Sequence, residues 1–204
     1  MSKSHFDESL QSKFRNILPA RQGHFKLESG HHGNLWLDLD LLFLHPKDVQ
    51  PFVLELARNI SSFEIDAVCG PMIGGALIAQ NVALELGVDF LYTERTAPKD
   101  PDALYSAAYR LPPHLRTIAN GRNIAIVDDV INAGSAIRGT LAELESAGAR
   151  PMVIGALLIL GETGEKYFAE RNLPLRRISY LPNELWMPED CPLCSARIPL
   201  DNSD

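Results

Sequence analysis

The sequence has few of the features that mark secreted or membrane proteins. Its 204 residues include only three cysteines, Cys69, Cys191 and Cys194, and this odd number suggests no disulfide framework. No apolar run reaches the roughly eighteen residues that span a bilayer, and the first residues contain no apolar signal segment. We therefore expect a soluble, cytoplasmic protein that has reduced thiols and no membrane partner.

Basic charge and the common nucleotide motifs are scarce as well. The chain has 19 Lys and Arg against 26 Asp and Glu, a formal net charge of -7. Because nucleic acids are bound through clustered Lys and Arg, this balance argues against a nucleic-acid partner. The chain lacks both G-x-G-x-x-G and G-x-x-x-x-G-K-[ST], so dinucleotide and P-loop functions lose their main support.

The most informative stretch runs from residue 123 to residue 140. Residues 124–127 (I-A-I-V) are typical of a strand that is buried on both faces of a parallel sheet. Two carboxylates, Asp128 and Asp129, come next, and a helical pattern ends the stretch. Between the carboxylates and the helix lie the small residues Asn132, Ala133, Gly134, Ser135 and Ala136.

Each part of this stretch has a chemical use. The free N–H groups at the helix start, together with the Ser135 hydroxyl, form a seat for a phosphate monoester. Asp128 and Asp129 can accept hydrogen bonds from the two hydroxyls of a ribose, or hold Mg²⁺. The stretch therefore predicts a site for a ribose 5-phosphate, the alternative being two Asp residues that merely end a strand before an ordinary turn.

A second glycine-rich loop, residues 70–75, also leads from a predicted strand to a predicted helix. Its backbone N–H groups could hold another anion, although an ordinary turn is the alternative. It consists of Gly70, Pro71, Met72, Ile73, Gly74 and Gly75. Strands and helices alternate from residue 65 to residue 181, which predicts a doubly wound parallel sheet with both loops at its C-terminal edge.

The run V-D-D-V-I-N-A-G-S-A resembles the motif by which type I phosphoribosyltransferases bind 5-phosphoribosyl pyrophosphate (PRPP). Residues 23–40 resemble the hood segment of the orotate phosphoribosyltransferase branch, and the overall resemblance covers about residues 5–182. It implies one α/β domain over residues 1–182, with a mostly parallel sheet and helices on both faces. A hood hairpin (residues 20–42), a mobile loop (about residues 94–120) and a tail (residues 183–204) complete the expected organisation.

The resemblance also implies a reaction and roles for individual residues. The phosphoribosyl group of PRPP would pass to a planar nitrogenous base in a Mg²⁺-dependent reaction that releases pyrophosphate, and the enzyme would be a homodimer. Asp128 and Asp129 would be the catalytic pair and would hold Mg²⁺ through PRPP. Residues 132–136 would bind the 5-phosphate and residues 70–75 the pyrophosphate. The remaining implied contacts are Lys26, Trp36 and Leu37 to the base, and the loop cations Arg95 and Lys99.

Several positions depart from the orotate pattern. Tyr92, Thr93 and Thr96 replace cations that neutralise pyrophosphate, and Glu28 replaces a Lys of the hood. Where the family has an Arg for the orotate carboxylate, this chain has Glu162, so we expect an acceptor other than orotate unless Arg176 or Arg177 compensates. A non-catalytic sensor of PRPP or nucleotides is the alternative function, and Trp36 could instead be a core aromatic.

Cys191 and Cys194 have the spacing of half a zinc site. Two further ligands would have to come from His residues, from Cys69 or from another subunit. Two reduced thiols in a packed tail are the simpler interpretation. His24, His31 and His32 are expected at the surface or behind the ligands of a site, because no partner stands at metal spacing.

Overall fold

The structure is a computed structural model that describes residues 8–97 and 103–201. Lys99 and the first residues of a helix predicted over residues 6–18 lie outside the described residues. The strands are β1 (Ala20–Lys26), β2 (His32–Leu37), β3 (Ala67–Pro71), β4 (Asp89–Thr96), β5 (Ala108–Arg110), β6 (Asn123–Ile131), β7 (Arg150–Leu160) and β8 (Leu175–Leu181). The helices are α1 (Glu8–Ile17), α2 (Leu39–Leu42), α3 (Pro46–Ile60), α4 (Gly74–Leu86), α5 (Pro113–Ala119), α6 (Ser135–Ser146), α7 (Thr163–Glu170) and α8 (Pro192–Ser195), and a 3₁₀ turn occupies Pro188–Asp190.

Six strands form the central sheet in the order β5-β4-β3-β6-β7-β8. All neighbours are parallel except β5, which runs antiparallel to β4 at the edge. The antiparallel pair β1 and β2 forms a separate two-stranded sheet, the hood hairpin. This is the mostly parallel α/β architecture that the alternating strand and helix signals predict.

Helices cover both faces of the central sheet, as a doubly wound fold requires. Helices α1 to α4 pack on one face and α5 to α7 on the other. Neighbouring residues of β3 alternate between the two cores, with Val68 in the first and Ala67 and Cys69 in the second. None of the described helices combines the length and the apolar character needed to cross a membrane.

Most predicted elements match the structure, and the differences concern the segments near the loops. The predicted helix over residues 46–60 matches α3, whose Pro at the start and apolar face define it. Strand β6 continues to Ile131, so Asp128 and Asp129 lie within the strand rather than after it. Residues 39–41, predicted to be strand, belong to α2. The stretch 94–120 contains the end of β4, strand β5 and helix α5, although its sequence shows little periodicity.

Candidate active site

Asp128 and Asp129, the acidic pair, lie toward the C-terminal end of β6, which runs between β3 and β7. Both residues are only 7% exposed. The backbone N–H of Asp129 donates to Oδ1 of Asp128 over 3.0 Å, and that of Val130 donates to Oδ1 of Asp129 over 2.7 Å. Burial raises the pKa of both carboxyls, and the charge of Asp129 raises the pKa of Asp128 further. Two buried anions side by side favour a partner that brings hydroxyl donors or positive charge.

The loop of residues 70–75 packs directly on the acidic pair. A Cβ atom at Gly74 would lie 2.0 Å from Oδ2 of Asp129, and one at Gly75 would lie 2.6 Å from Oδ1 of Asp128. Neither position has room for a side chain, so glycine is required for the close approach of backbone and carboxylates. The fold therefore joins two motifs that lie more than fifty residues apart in the sequence.

Thr93 holds loop 70–75 in place, although the family resemblance implies a cation at this position. Its carbonyl oxygen accepts a hydrogen bond from the N–H of Met72 over 2.8 Å. Its side chain is fully buried, and its Oγ1 lies 2.7 Å from Oγ1 of Thr140 in α6. The peptide bond between Met72 and Ile73 is cis. Thr93 thus supplies no charge but connects the loop to β4 and α6.

Residues 132–136 form the turn into α6, at the same edge of the sheet as the acidic pair. Gly134 has a φ of 83°, which favours glycine, and α6 begins at the next residue, Ser135. The Ser135 hydroxyl is buried and has no hydrogen-bond partner among the described residues. Nδ2 of Asn183 donates to Oδ1 of Asn132 over 3.2 Å and thereby holds the turn. A buried, unpaired hydroxyl beside the free N–H groups of a first helical turn fits a phosphate oxygen.

A cavity of about 420 Å³ connects this turn and Asp128 to the hood, whereas Asp129 and loop 70–75 are not part of its described lining. Four carboxylates line it, those of Glu28, Asp38, Asp40 and Asp128. No lysine or arginine stands among the described residues of its wall. The full lining comprises Leu27, Glu28, Ser29, Leu35, Trp36, Leu37, Asp38, Leu39, Asp40, Asp128, Val130, Asn132, Ala133, Gly134, Ser135, Ala136 and Leu160. The cavity therefore combines an apolar wall with a negative potential.

The apolar wall belongs to the hood, and its central side chain is held in place. Nε1 of Trp36 donates to Oδ1 of Asp38 over 3.0 Å. Arg21 contacts both oxygens of Asp38, over 2.8 and 2.9 Å, and its hydrogen bonds lower the pKa of that carboxyl. Leu37 lies beside Trp36 in the lining, whereas Lys26 is exposed and does not line the cavity. A flat aromatic side chain in such a wall suits a planar ligand.

Arg95, one of the two implied loop cations, forms an ion pair with a carboxylate of the hood. Its Nε lies 3.1 Å from Oε1 of Glu28, and its side chain is 58% exposed. The Tyr109 hydroxyl donates to the same Glu28 oxygen over 2.9 Å. Burial, followed by the charge of Glu28, raises the pKa of Tyr109 far above its ordinary value. The sequence alone did not reveal this link between the hood and strands β4 and β5.

Glu162, which is expected to face the acceptor base, does not line the cavity. Its side chain is 64% exposed and lies 2.7 Å from Lys166, away from the cavity lining. Arg177 pairs with Glu165 over 2.7 Å, and neither Arg176 nor Arg177 lines the cavity, so the two arginines considered as compensation lie elsewhere. Three of the four carboxylates in the cavity wall come from the hood.

The sequence did not point to two hood carboxylates, and it left open whether three histidines lie at the surface or behind the ligands of a site. Asp38 and Asp40 line the cavity, and the alternating D-L-D after an apolar strand was the available signal. His24, His31 and His32 are buried, with 1%, 8% and 7% exposure, rather than at the surface. Their burial could not be read from local sequence, because the tail that covers His24 comes from the other end of the chain.

Comparison with known proteins agrees with this geometry. A family model of the phosphoribosyl transferase domain matches residues 47–186, which is more than half of the chain. The protein therefore belongs to the type I phosphoribosyltransferase family. More particularly, it is 31% identical to orotate phosphoribosyltransferase of Thermoanaerobacter sp. (strain X514) over 193 residues, which cover 95% of this chain and 94% of that relative.

Solved structures share the fold at lower identity. Adenine phosphoribosyltransferase from Rhodothermus marinus superposes with a TM-score of 0.67 at 19% identity, covering 86% of this chain and 100% of that chain. Orotate phosphoribosyltransferase from Aeropyrum pernix superposes with a TM-score of 0.61 at 22% identity, covering 85% and 92%. The same architecture thus serves proteins that are named for different bases.

Proposed function

We propose that the protein transfers the phosphoribosyl group of PRPP to a nitrogen of a planar base and releases pyrophosphate. The main support is the buried acidic pair at one edge of the sheet, on which loop 70–75 packs tightly, and whose Asp128 lines the same cavity as loop 132–136. This order of groups matches PRPP, in which the ribose lies between the 5-phosphate and the pyrophosphate.

The residues have separable roles in this proposal. Loop 132–136 binds the 5-phosphate through its N–H groups and the unpaired Ser135 hydroxyl. Asp128 and Asp129 accept hydrogen bonds from the ribose hydroxyls, and their negative charge stabilises the positive charge that develops on the sugar. The bond from the sugar carbon to the pyrophosphate oxygen breaks, the bond to the base nitrogen forms, and the base loses a proton. Loop 70–75 holds the leaving pyrophosphate.

Mg²⁺ is the proposed cofactor, and the chemistry of the acidic pair suits it. The pair presents carboxylate oxygens, the ligand type that Mg²⁺ prefers, and burial makes their charges costly without a cation. Bound together with PRPP, the ion supplies positive charge to the leaving group. This matters because Thr93 and Tyr92 bring none and Arg95 is paired to Glu28.

The proposed acceptor is a base without a carboxylate. An orotate carboxylate would enter a cavity whose described lining contains Glu28, Asp38 and Asp40 but no Lys or Arg. Arg21 already pairs with Asp38, and Arg95 already pairs with Glu28. Neither arginine is therefore free to pair with an orotate carboxylate. Orotate remains the second candidate, because the relative from Thermoanaerobacter carries that name.

A homodimer is proposed as the working assembly. Leu44 and Ile73 are 66% and 67% exposed, although both are large and apolar. Leu44 follows Phe43 in the chain, and Ile73 precedes Gly74. These two neighbours are in close contact, because a Cβ atom at Gly74 would lie 3.2 Å from the Phe43 ring. Exposed apolar residues beside the site fit an interface with a second copy.

A cytoplasmic location fits the three free thiols.

The test is calorimetry of PRPP binding with Mg²⁺, followed by pyrophosphate release with a panel of purines, pyrimidines and other planar bases, orotate included. We expect binding by the wild type and by the surface variant Asp48→Asn, but not by the double variant Asp128→Asn, Asp129→Asn. Absence of PRPP binding would refute the proposal. Binding with no consumption of PRPP by any base would identify a sensor, and orotate as the best acceptor would refute only the acceptor assignment.

A further inference from the structure

A cluster of two histidines and two cysteines lies apart from the cavity. His24 comes from β1, His32 begins β2, Cys191 precedes α8 and Cys194 lies within α8. One ligand atom of each residue falls within 4.8 Å of all the others. His24 and Cys191 are 1% and 0% exposed and His32 is 7% exposed, whereas Cys194 is exposed. The cluster therefore joins the hood hairpin to the tail.

Four of the six distances between the ligand atoms are close to those of a tetrahedral metal site. Nε2 of His24 lies 3.1 Å from Nδ1 of His32. Sγ of Cys194 lies 3.3 Å from His32 Nδ1 and 3.7 Å from His24 Nε2, and Sγ of Cys191 lies 3.4 Å from His24 Nε2. Metal–nitrogen bonds of about 2.0 Å and metal–sulfur bonds of about 2.3 Å give tetrahedron edges of roughly 3.3 to 3.8 Å.

The imidazole of His24 is oriented for such a role. Its Nδ1 lies 2.8 Å from the carbonyl oxygen of Ile198. A carbonyl oxygen can only accept a hydrogen bond, so Nδ1 carries the proton and Nε2 directs a lone pair into the cluster. Metal-binding histidines are commonly fixed in this way through their second nitrogen.

We propose that His24, His32, Cys191 and Cys194 form a structural zinc site that fastens the tail to the hood. Four protein ligands of mixed imidazole and thiolate type suit zinc and leave no coordination position open for a substrate. None of the four residues lines the cavity, so the site is separate from the acidic pair. The two additional ligands that Cys191 and Cys194 need come from histidines more than 150 residues away in the sequence.

The surrounding hydrogen bonds show what the ion would stabilise. The backbones of His32 and Trp186 exchange hydrogen bonds of 2.8 and 2.9 Å. The N–H of His24 donates to Oδ2 of Asp201 over 2.8 Å, and the N–H of Asp201 donates to the His24 carbonyl over 2.7 Å. Tail and hairpin thus pair on both sides of the cluster, and zinc would stabilise this pairing.

The first experiment uses the wild-type chain without an affinity tag, purified in the absence of chelators. We expect about one zinc ion per chain by elemental analysis. Exchange for Co²⁺ should give the intense visible bands of tetrahedral cobalt and a near-ultraviolet sulfur-to-cobalt charge-transfer band. Removal of the metal by a strong chelator should lower the melting temperature, because the ion binds only the folded arrangement.

Matched variants then identify the ligands. Cys191→Ser and His24→Gln should lower zinc affinity by more than about 100-fold, since loss of a mere supporting residue already costs about 10- to 100-fold. Cys69→Ser and His31→Gln remove a buried thiol and a buried imidazole outside the cluster, and both should retain the metal.

Four results would overturn the proposal. They are less than about 0.1 zinc per chain, a cobalt spectrum without charge transfer from sulfur, a native mass two hydrogens lower that reveals a Cys191–Cys194 disulfide, and equal metal loss in the control variants. The measurements on the wild type decide the matter even if a cysteine variant fails to fold.

Discussion

Replacing Asp128 with Asn is expected to stabilise the ligand-free protein at neutral pH and to abolish its stabilisation by PRPP. Asp128 is 7% exposed, and its Oδ1 accepts one hydrogen bond, from the N–H of Asp129. An Asn side chain keeps that acceptor and removes the charge. The variant therefore retains the local hydrogen bond but loses the electrostatic cost of burying an anion beside Asp129.

The magnitude follows from the burial. An uncompensated buried polar or charged group costs about 1–3 kcal/mol, and that amount is the expected gain in the free energy of unfolding. For a chain of 204 residues this corresponds to a melting temperature about 2 to 12 °C higher. Wild-type protein with Mg²⁺ and PRPP at about 100 times the dissociation constant should gain about 2.7 kcal/mol, whereas the variant should gain nothing.

The pH dependence of the stability difference provides an independent check on the sign of this effect. Because the folded protein raises the pKa of Asp128, this carboxyl contributes its stability below the unfolded pKa of about 3.9. That contribution is lost as the pH rises through the raised folded value. The gap between Asn variant and wild type should consequently widen from acidic to neutral pH.

The assay is thermal unfolding followed by circular dichroism, in buffer with a chelator, across this pH range. Asp40→Asn is the control, because Asp40 lines the same cavity but is exposed, and its change should stay within about 0.5 kcal/mol. A ligand-free Asp128→Asn variant that is less stable than wild type at neutral pH would show that the carboxylate is compensated in the folded protein, and would refute the reasoning.

Three further predictions concern neighbouring features. Gly74→Ala, whose Cβ would lie 2.0 Å from Oδ2 of Asp129, should weaken PRPP binding by about 10²-fold in calorimetry, whereas Gln80→Ala on the exposed face of α4 should not. Burial alone would raise the pKa of Glu143, but hydrogen bonds from Arg110 and Arg116 lower it. Glu143→Gln should therefore reduce the free energy of unfolding by about 1–3 kcal/mol in neutral-pH melts, and by progressively less as the pH falls below the pKa of the unfolded chain. An equal loss of stability at acidic pH would contradict this. Leu44→Asp should yield monomers by light scattering, and Leu84→Asp, at a site 80% exposed, should leave the dimer intact.

The sequence predicts the fold well where local chemistry decides the structure. Helix α3 matches its predicted bounds because Pro46 marks its start and its apolar face repeats at helical spacing. The acidic pair and both loops were also predicted as motifs. The end of β6 was misjudged, since buried carboxylates inside a strand contradict the usual polarity signal.

The rest depended on contacts between distant segments. Nothing near Glu28 indicates that Arg95 and Tyr109 will meet it, and nothing near Cys191 indicates His24. Residues 39–41 were assigned to a strand because alternating leucines continue past β2, but the chain turns there into α2. Local patterns cannot report such turns when tertiary packing overrides them.

The carboxylate-lined cavity also has a kinetic consequence. A chain with net charge -7 and a cavity lined by four carboxylates, of which only Asp38 and Glu28 are paired with arginines among the described residues, repels an approaching polyanion. Salt screens that repulsion over a distance of about 10 Å at 0.1 M ionic strength. The association rate of free PRPP should therefore rise with added salt, which is the reverse of the behaviour of proteins that attract their anionic ligands. Pairing PRPP with Mg²⁺ before the encounter reduces its charge, so the complex with the metal should arrive faster and depend less on salt.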